Sequence, residues 1–193
     1  LEAWNVETHI GRHAAKLDTK NNTLTLDNGD ELTYDNLLIA TGSSAARPPI
    51  PGAEGEGIHS FWTLAQAREV HKEVTPESHV VLVGAGFIAF TILNGIIERA
   101  GKVTVIEVAE RILPRMVDAT AASIATQWLQ AKGVHLHTGT KLKAITQQGG
   151  KRQLELEGAP AISADLVIMA TGIRTNLSWI EGSGIETEQG ILV

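Results

Sequence analysis

One short segment carries residues whose types and spacing suit a phosphate ligand. Residues 84–89 read Gly-Ala-Gly-Phe-Ile-Ala, directly after the apolar run 80–83. In such a turn the first glycine permits a tight bend, the second lets the backbone approach a pyrophosphate, and the small last residue lets the helix pack closely on the strand. Free N–H groups at the start of the helix then bind the anion.

An acidic residue follows at the distance expected for a dinucleotide site. Glu107 ends the predicted strand 103–107, 21 residues after Gly86. A carboxylate there accepts hydrogen bonds from adenosine ribose hydroxyls. Glu107 and Glu110 would repel a 2′-phosphate, with Arg111 alone to offset them, so the pattern favours NADH over NADPH. A solvated acid at a strand end is the alternative interpretation.

The elements that must hold these groups alternate between strand and helix. A short helix over residues 63–73 is predicted first, and Gly101 and Gly133 end the two later helices. The strand–helix–strand–helix series covers residues 80–83, 84 to about 100, 103–107 and 118–132. This alternation predicts a doubly wound, Rossmann-like α/β unit with a parallel sheet.

The chain also contains an internal repeat. Residues 24–42 and 154–172 align without a gap at an offset of 130, with six of 19 positions identical. Each copy predicts a β-hairpin and then a buried apolar strand that ends in Ala-Thr-Gly. A weaker match at an offset of 128 adds a short strand before each hairpin. The predicted strands and hairpins are residues 6–10, 23–34 and 37–40 in the first copy, and 134–138, 142–157 and 166–170 in the second.

The two copies differ in what precedes them. The second copy follows the glycine turn, whereas the counterpart of Gly84 in the first copy would lie upstream of Leu1. The repeat therefore predicts that the chain is a fragment that begins after the first copy's own glycine turn. Residues 191–193 are apolar and are expected to start a further strand, and the proline-rich residues 47–52 predict a stiff extended connector.

In this order, the motifs resemble the pyridine nucleotide–disulfide oxidoreductase superfamily. The resemblance is greatest to its NADH-dependent flavoprotein reductases: NADH oxidases, ferredoxin and rubredoxin reductases, and the flavin portion of NADH-dependent nitrite reductases. The segments that carry it are residues 34–43, 48–52, 84–90, 105–107, 111–115 and 165–172. The resemblance implies that NADH passes hydride to FAD and that electrons then reach an acceptor, a small molecule or a redox protein, which it does not identify.

The resemblance also implies cofactor contacts and domains. NADH would contact Gly84, Ala85, Gly86, Phe87, Ile88, Ala89, Glu107, Arg115 and Gly172, and FAD would contact Ala40, Thr41 and Gly42. It assigns no catalytic residue and no metal ligand. Residues 1–52 would belong to a truncated FAD-binding domain, 53–184 to an inserted NADH-binding domain with a β-hairpin meander, and 185–193 to the return. Without its own glycine turn, the FAD part is expected not to retain the flavin.

One position departs from the family pattern and keeps an alternative open. The family usually has Glu two residues after the last small residue of the turn, where this chain has Thr91. The alternative is a sensor or scaffold module that binds NAD(H) without hydride transfer. A flavin-free dehydrogenase would need a tyrosine or histidine proton relay, and Tyr34, the single tyrosine, lies outside the predicted NADH unit.

Composition excludes several other classes. A net charge of −6 and eight aromatic residues argue against nucleic-acid binding. The uncharged run 80–97 is no membrane span because its glycines divide it into strand and helix. Residues 1–10 do not resemble a signal peptide, and with no cysteine we expect a cytoplasmic protein without disulfides.

Two further patterns bear on partners and metals. The helix after the glycine turn is apolar around most of its circumference, which predicts cover by a neighbouring domain or by a second subunit in a homo-oligomer. His135 and His137 lie on one strand face, but without a third ligand at a suitable spacing they indicate a hydrated face rather than a metal site.

Overall fold

The computed structural model describes residues 6–193, and the chain divides into two compact units. The first, called the terminal unit here, runs to Ser44 and resumes over Arg174–Val193. The second, called the sheet unit, is Ala45–Ile173. The expected boundaries at residues 52 and 184 separate the parts assigned to FAD from the part assigned to NADH. This assignment stays a prediction.

The sheet unit is built on five parallel strands. Their order is β5-β12-β6-β7-β8, and their bounds are Ile58–Ser60, Leu166–Met169, His79–Val83, Lys102–Ile106 and His135–His137. The central strands are runs of apolar, mostly β-branched residues because both of their faces are covered. These strands confirm the predictions for residues 80–83, 103–107, 134–138 and 166–170.

Three helices belong to the same unit. They are α1 over Leu64–Glu73, α2 over Phe87–Ile97 and α3 over Ala119–Ala131. Thr63 begins α1 with a capping box that it shares with Gln66, and the Asp118 carboxylate begins α3 by accepting from Ala121 N–H at 2.9 Å. All three confirm the helices predicted from sequence, with ends that differ by up to three residues. None of the helices in the described part of the chain is long and apolar enough to cross a membrane.

The buried residues form two cores, one on each face of the sheet. Along β6, Val80 and Leu82 face the helices, whereas Val81 and Val83 face the opposite side. That opposite side is covered by an antiparallel meander in the order β11-β10-β9, with bounds Ile162–Ala164, Lys151–Leu156 and Leu142–Gln148. The unit therefore has a helical layer, a parallel sheet and a meander, which confirms the predicted Rossmann-like class.

The internal repeat is visible in the terminal unit. A second antiparallel meander runs in the order β1-β2-β3, over Ala14–Asp18, Thr23–Leu26 and Glu31–Thr33. Its strands correspond to β9, β10 and β11 at the offsets of 128 to 130 found in the sequence. Both predicted hairpins are confirmed, with the first turning at Asn28-Gly29 and the second at Gly149-Gly150.

Two predicted strands of the first copy are wrong. Residues 6–10 and 37–40 are irregular, and Ile10 and Leu38 are 88% and 89% exposed. Their counterparts β8 and β12 are held by neighbours in the parallel sheet, whereas the described part of the terminal unit contains no such sheet. Residues 191–193 form no strand either, and Ile191 makes only an isolated bridge to Thr187.

Two short strands complete the fold. They are β4 over Ser43–Ala45 and β13 over Ile173–Thr175, and they pair with each other where the chain passes from one unit to the other. The connector 47–52 that follows β4 is irregular and extended up to a turn at its end, as its prolines predict.

Candidate functional site

A cavity of about 990 Å³ opens in the sheet unit at the carboxyl ends of three strands. The turn after β6, the loop after β7 and the segment after β12 form its walls. The strand order reverses beside β6, because the chain continues to β7 on one side and returns to β12 on the other. In open α/β sheets, ligands bind in the crevice at this switch point.

The glycine turn forms the floor of the cavity. Gly84 has a φ of +102°, and a side chain there would overlap the carbonyl oxygen of Ala170, so only glycine fits. Gly86 is different, because its φ is −84° and an added Cβ would meet nothing within 4 Å. Backbone approach by a ligand is therefore the physical reason that remains for a glycine at Gly86.

Helix α2 presents an uncapped N-terminus to this space. Gly86 is its N-cap and supplies no side-chain hydrogen bond, and the first turn contains no acidic residue. The first N–H groups of a helix have no acceptor within the helix. Since Gly86, Phe87 and Ile88 line the cavity, these donors and the positive helix end suit an anion such as a pyrophosphate.

Glu107 lies beneath the same turn, with 8% of its surface exposed. One carboxylate oxygen accepts from Ala85 N–H at 2.7 Å, and the other accepts from Ala109 N–H at 2.8 Å. The residue nevertheless lines the cavity. A carboxylate offers about four acceptor positions, so two remain for a ligand hydroxyl.

The loop after β7 is fixed by its own hydrogen bonds. Arg111 donates from Nη1 to the carbonyl of Val117 at 2.7 Å, so this side chain is directed into the loop. Leu113 has a positive φ of +49° and donates its N–H to Ala85 O at 2.9 Å. Arg115 is exposed and lines the cavity, where it could meet an anionic ligand.

The segment after β12 forms the opposite wall. Thr171 donates from Oγ1 to the carbonyl of Ala46 at 2.7 Å, and Ala46 N–H donates to Gly172 O at 2.9 Å. Gly172 has a φ of +113° and open space where a side chain would stand. Ala46, which precedes the connector 47–52, thus holds Thr171 and Gly172 in place.

The first Ala-Thr-Gly segment has equivalent bonds within the terminal unit. Thr41 donates from Oγ1 to Asn176 O at 3.0 Å, and Asn176 N–H donates to Gly42 O at 3.1 Å. Thr41 and Gly42 correspond to Thr171 and Gly172, 130 residues later in the chain, whereas Asn176 corresponds to Ala46, 130 residues earlier. Ala40, Thr41 and Gly42 are exposed, and Gly42 has open space at its Cβ position.

The predicted NADH residues are therefore brought together with two exceptions. Ala85 and Ala89 are each 1% exposed and lie behind the cavity, where Ala89 packs α2 against the sheet. The others line it: Gly84, Gly86, Phe87, Ile88, Glu107, Arg115 and Gly172. Contact of any of them with a cofactor stays a prediction.

Sequence reasoning missed part of the wall. Pro48, Pro49 and Ile50 line the cavity, although their composition indicated only a connector. Met116 and Lys141 also line it, and no pattern around them indicates a ligand. Lys141 could have been suspected only from its place in the loop between β8 and β9, which follows the carboxyl end of a strand of the parallel sheet.

Thr91 does not line the cavity. It is exposed on α2, and its Oγ1 donates to the carbonyl of Ile88 at 2.7 Å. The hydroxyl is thus used by its own helix, in the back-bonded arrangement common for threonine.

The resolved pKa shifts of the sheet unit lie at the other end of the sheet. Asp165 accepts from His79 N–H at 2.9 Å and pairs with Lys151 at 3.0 Å, and these bonds lower the pKa of its carboxyl. Burial and the nearby Lys102 lower the pKa of His79. These groups join β6 to the meander, and they are not part of the cavity.

Comparison with known proteins agrees with this geometry. The family model described as pyridine nucleotide-disulphide oxidoreductase matches residues 2–193. The NADH-dependent phenylglyoxylate dehydrogenase subunit epsilon of Aromatoleum evansii is 31% identical over 92% of this chain and 42% of its own. The rubredoxin-NAD(+) reductase of Pseudomonas putida is 28% identical over 98% of this chain and 49% of its own.

A solved structure agrees as well. The ferredoxin reductase for the CYP199A2 system from Rhodopseudomonas palustris superposes with a TM-score of 0.89 at 25% identity, over 95% of this chain and 46% of its own. The chain thus spans less than half the length of each of these proteins.

Proposed function

Because the chain belongs to the pyridine nucleotide-disulphide oxidoreductase family, we propose that the cavity beside the glycine turn binds NADH. One observation carries the proposal: Gly86 leaves open space at the uncapped N-terminus of α2, in a wall of a cavity large enough for a dinucleotide. The pyrophosphate would bind the N–H groups of Gly86, Phe87 and Ile88. The ribose would bind the free acceptor positions of Glu107.

The same geometry supports NADH over NADPH. Glu107 places a buried carboxylate where a 2′-phosphate would have to lie. Arg111, the cation expected from the sequence to offset this charge, does not line the cavity and is directed to the carbonyl of Val117. Arg115 remains exposed and could instead attract the pyrophosphate.

The chemistry follows from the family. NADH supplies a hydride when bound, and FAD accepts it. In this proposal the sheet unit binds and orients NADH, and Ala40, Thr41 and Gly42 of the terminal unit contribute one wall for FAD, because the open Cβ position of Gly42 allows close backbone approach. No side chain is assigned a proton transfer. Relatives named as rubredoxin-NAD(+) reductase and ferredoxin reductase support a small redox protein as the electron acceptor. A cytoplasmic location is part of the same proposal, and the absence of cysteine from the sequence is consistent with it.

A second candidate is favoured by Thr91. Its hydroxyl is bonded to Ile88 O, and it offers no carboxylate to orient a nicotinamide ring. The chain would then bind NAD(H) as a sensor or scaffold without efficient hydride transfer. Both candidates require the cavity to bind NADH, and they differ in the rate of flavin reduction.

The binding test compares the NADH affinity of variants at two glycines, one at the N-cap of α2 and one within the helix. Gly86→Ala adds a methyl group that the free protein can hold but that fills the space proposed for the pyrophosphate. Gly95→Ala, in α2, is the matched control because its Cβ also has open space. By calorimetric titration of the 193-residue chain, we expect Gly86→Ala to weaken NADH binding about tenfold or more, or about 1.4 kcal/mol.

The control should bind like the wild type, and thermal unfolding should show that both variants are folded. Equal NADH affinity in Gly86→Ala and Gly95→Ala would place the cofactor elsewhere.

A further inference from the structure

Glu107 makes more contacts with the protein than a ribose ligand requires. Its two carboxylate oxygens accept from two backbone N–H groups in different segments, Ala85 in the glycine turn and Ala109 in the loop after β7. The side chain is 8% exposed, so these bonds are shielded from water. Hydrogen bonds to a buried charge are stronger than those between neutral groups.

The peptide groups on both sides of Ala85 are held, one by Glu107 and the other by Leu113. The Ala85 N–H donates to Glu107, and the Ala85 carbonyl accepts from Leu113 N–H at 2.9 Å. Leu113 makes this bond from a positive φ, which a leucine adopts only where its surroundings impose it. The middle residue of the glycine turn is therefore fixed from two points of the loop that follows β7.

This arrangement decides which donors of the turn are free. The N–H of Ala85 is committed to Glu107 and cannot also bind a phosphate. The free donors are those of Gly86, Phe87 and Ile88, and their direction depends on the orientation of the Ala85 peptide before them. Loss of the Glu107 bond would free the Gly84–Ala85 peptide and leave the Ala85–Gly86 peptide, which carries the first free N–H, held by Leu113 alone. The donors after it would then be less well positioned.

We propose that Glu107 is a positioning residue that sets the shape of the phosphate-binding turn. It then affects any ligand that uses the turn, whether or not that ligand has ribose hydroxyls. The proposal rests on the proposed function, and it goes beyond the role of an acidic residue as a ribose acceptor.

A ligand without the hydroxyls separates the two roles. The probes are NADH and its analogue with 2′,3′-dideoxyadenosine, titrated into the wild-type chain and into Glu107→Gln. Glutamine has the same shape but only one acceptor oxygen, so one of the two backbone bonds is lost. Glu110→Gln is the matched control, because Glu110 is an exposed neighbour that does not line the cavity.

We expect Glu107→Gln to weaken the dideoxy analogue on the order of tenfold, with NADH weakened at least as much. Glu110→Gln should leave both affinities within about twofold. Equal affinity of the analogue for wild type and Glu107→Gln would overturn the proposal, since Glu107 would then act through the hydroxyls alone.

Amide hydrogen exchange of the ligand-free chain gives a second measurement. In the wild type, the N–H groups of Ala85 and Ala109 should be protected. Glu107→Leu, which has no acceptor, should raise both exchange rates about tenfold or more, and Gly84 N–H, bonded to Ile106 O at 2.7 Å, should change far less. Unchanged protection would also overturn the proposal.

The exchange result does not depend on NADH. If the wild type fails to bind NADH, the proposed function fails, while the exchange rates still decide whether Glu107 holds the turn.

Discussion

The side chain at position 91 is where a reductase and a binding module would differ. Thr91 is exposed on α2 and uses its hydroxyl within the helix. It is shorter than the glutamate usual in the family, β-branched and uncharged, so it cannot reach as far toward a nicotinamide carboxamide. The proposed contacts with the adenosine and the pyrophosphate lie elsewhere and would not depend on it.

In a longer form of the protein that holds FAD, Thr91→Glu should therefore raise the rate of flavin reduction by NADH, with little change in NADH affinity. A misplacement of about 1 Å can cost on the order of 100-fold in rate, which sets the upper size of the gain. Stopped-flow reduction of the flavin measures it, with Thr120→Glu on the exposed start of α3 as the control. Rapid reduction by the wild type and a slower variant would show Thr91 to be adapted to a working site.

The two glycines of the turn show that one residue type can serve two purposes. Gly84 is required by the fold, because its positive φ and the nearby Ala170 carbonyl exclude a side chain. Gly86 is not required by the fold, because the backbone and the space around it would accept alanine. The sequence motif contains both, and only the surroundings distinguish the structural glycine from the one expected to face a ligand.

The stability that Asp165 contributes at the junction between β6 and the meander is expected to depend on pH. Asp165 binds the N–H of His79 and the ammonium of Lys151, so the pKa of its carboxyl is lower in the folded chain than its ordinary value of 3.8. The unfolded chain then binds more protons in acid. The stabilisation is present above the ordinary value and is lost as the pH falls through the folded one.

We expect Asp165→Asn to lower the free energy of unfolding by about 1 kcal/mol near neutral pH, since an amide accepts one bond but cannot pair with Lys151. The difference from wild type should shrink below about pH 4. Urea unfolding at a series of pH values measures it. Asp35→Asn, the exposed counterpart in the first repeat, should change stability by less than about 0.5 kcal/mol. A pH-independent difference would contradict the charge-based explanation.

The strands of the two repeat copies show how neighbours decide structure. The meanders β1-β2-β3 and β9-β10-β11 form in both copies because each hairpin supplies its own partner. Residues 37–40 and β12 have similar apolar sequences, yet only β12 is a strand. It lies between β5 and β6, which satisfy its backbone on both sides.

The two units differ in whether they offer a helix N-terminus to a dinucleotide. All three α-helices of the described residues belong to the sheet unit, and the terminal unit has only a short 3₁₀ helix over Ser178–Ile180. A pyrophosphate is commonly bound at a helix N-terminus after a glycine turn. In the terminal unit, Thr41 and Gly42 offer an exposed turn without such a helix behind it.

The 193-residue chain should therefore purify colourless and bind NADH but not FAD. Absorbance spectra before and after addition of FAD, followed by gel filtration, measure flavin retention, and calorimetry of the same preparation measures NADH binding. A yellow preparation with stoichiometric flavin would contradict this expectation and would assign a complete flavin site to residues 1–193.

The sequence alone determined features that depend on residues close together in the chain. Local backbone preferences account for the glycine turn, for the helix caps at Thr63 and Asp118, and for the turn at Asn28-Gly29. The alternation of strands and helices between residues 80 and 132 predicted the parallel sheet, and the apolar run 80–83 suits a strand covered on both faces. The spacing from the turn to Glu107 placed both at the same edge of that sheet.

Tertiary structure decided which groups meet and which donors remain free. Sequence patterns could not give the bond from Ala85 to Glu107, the place of Pro48, Pro49 and Ile50 in the cavity wall, or the irregular backbone of residues 37–40. A local pattern fixes the conformation a segment prefers, but a hydrogen bond or a strand pairing needs a partner. In this protein the decisive partners lie 20 to 130 residues away, and only the folded chain brings them together.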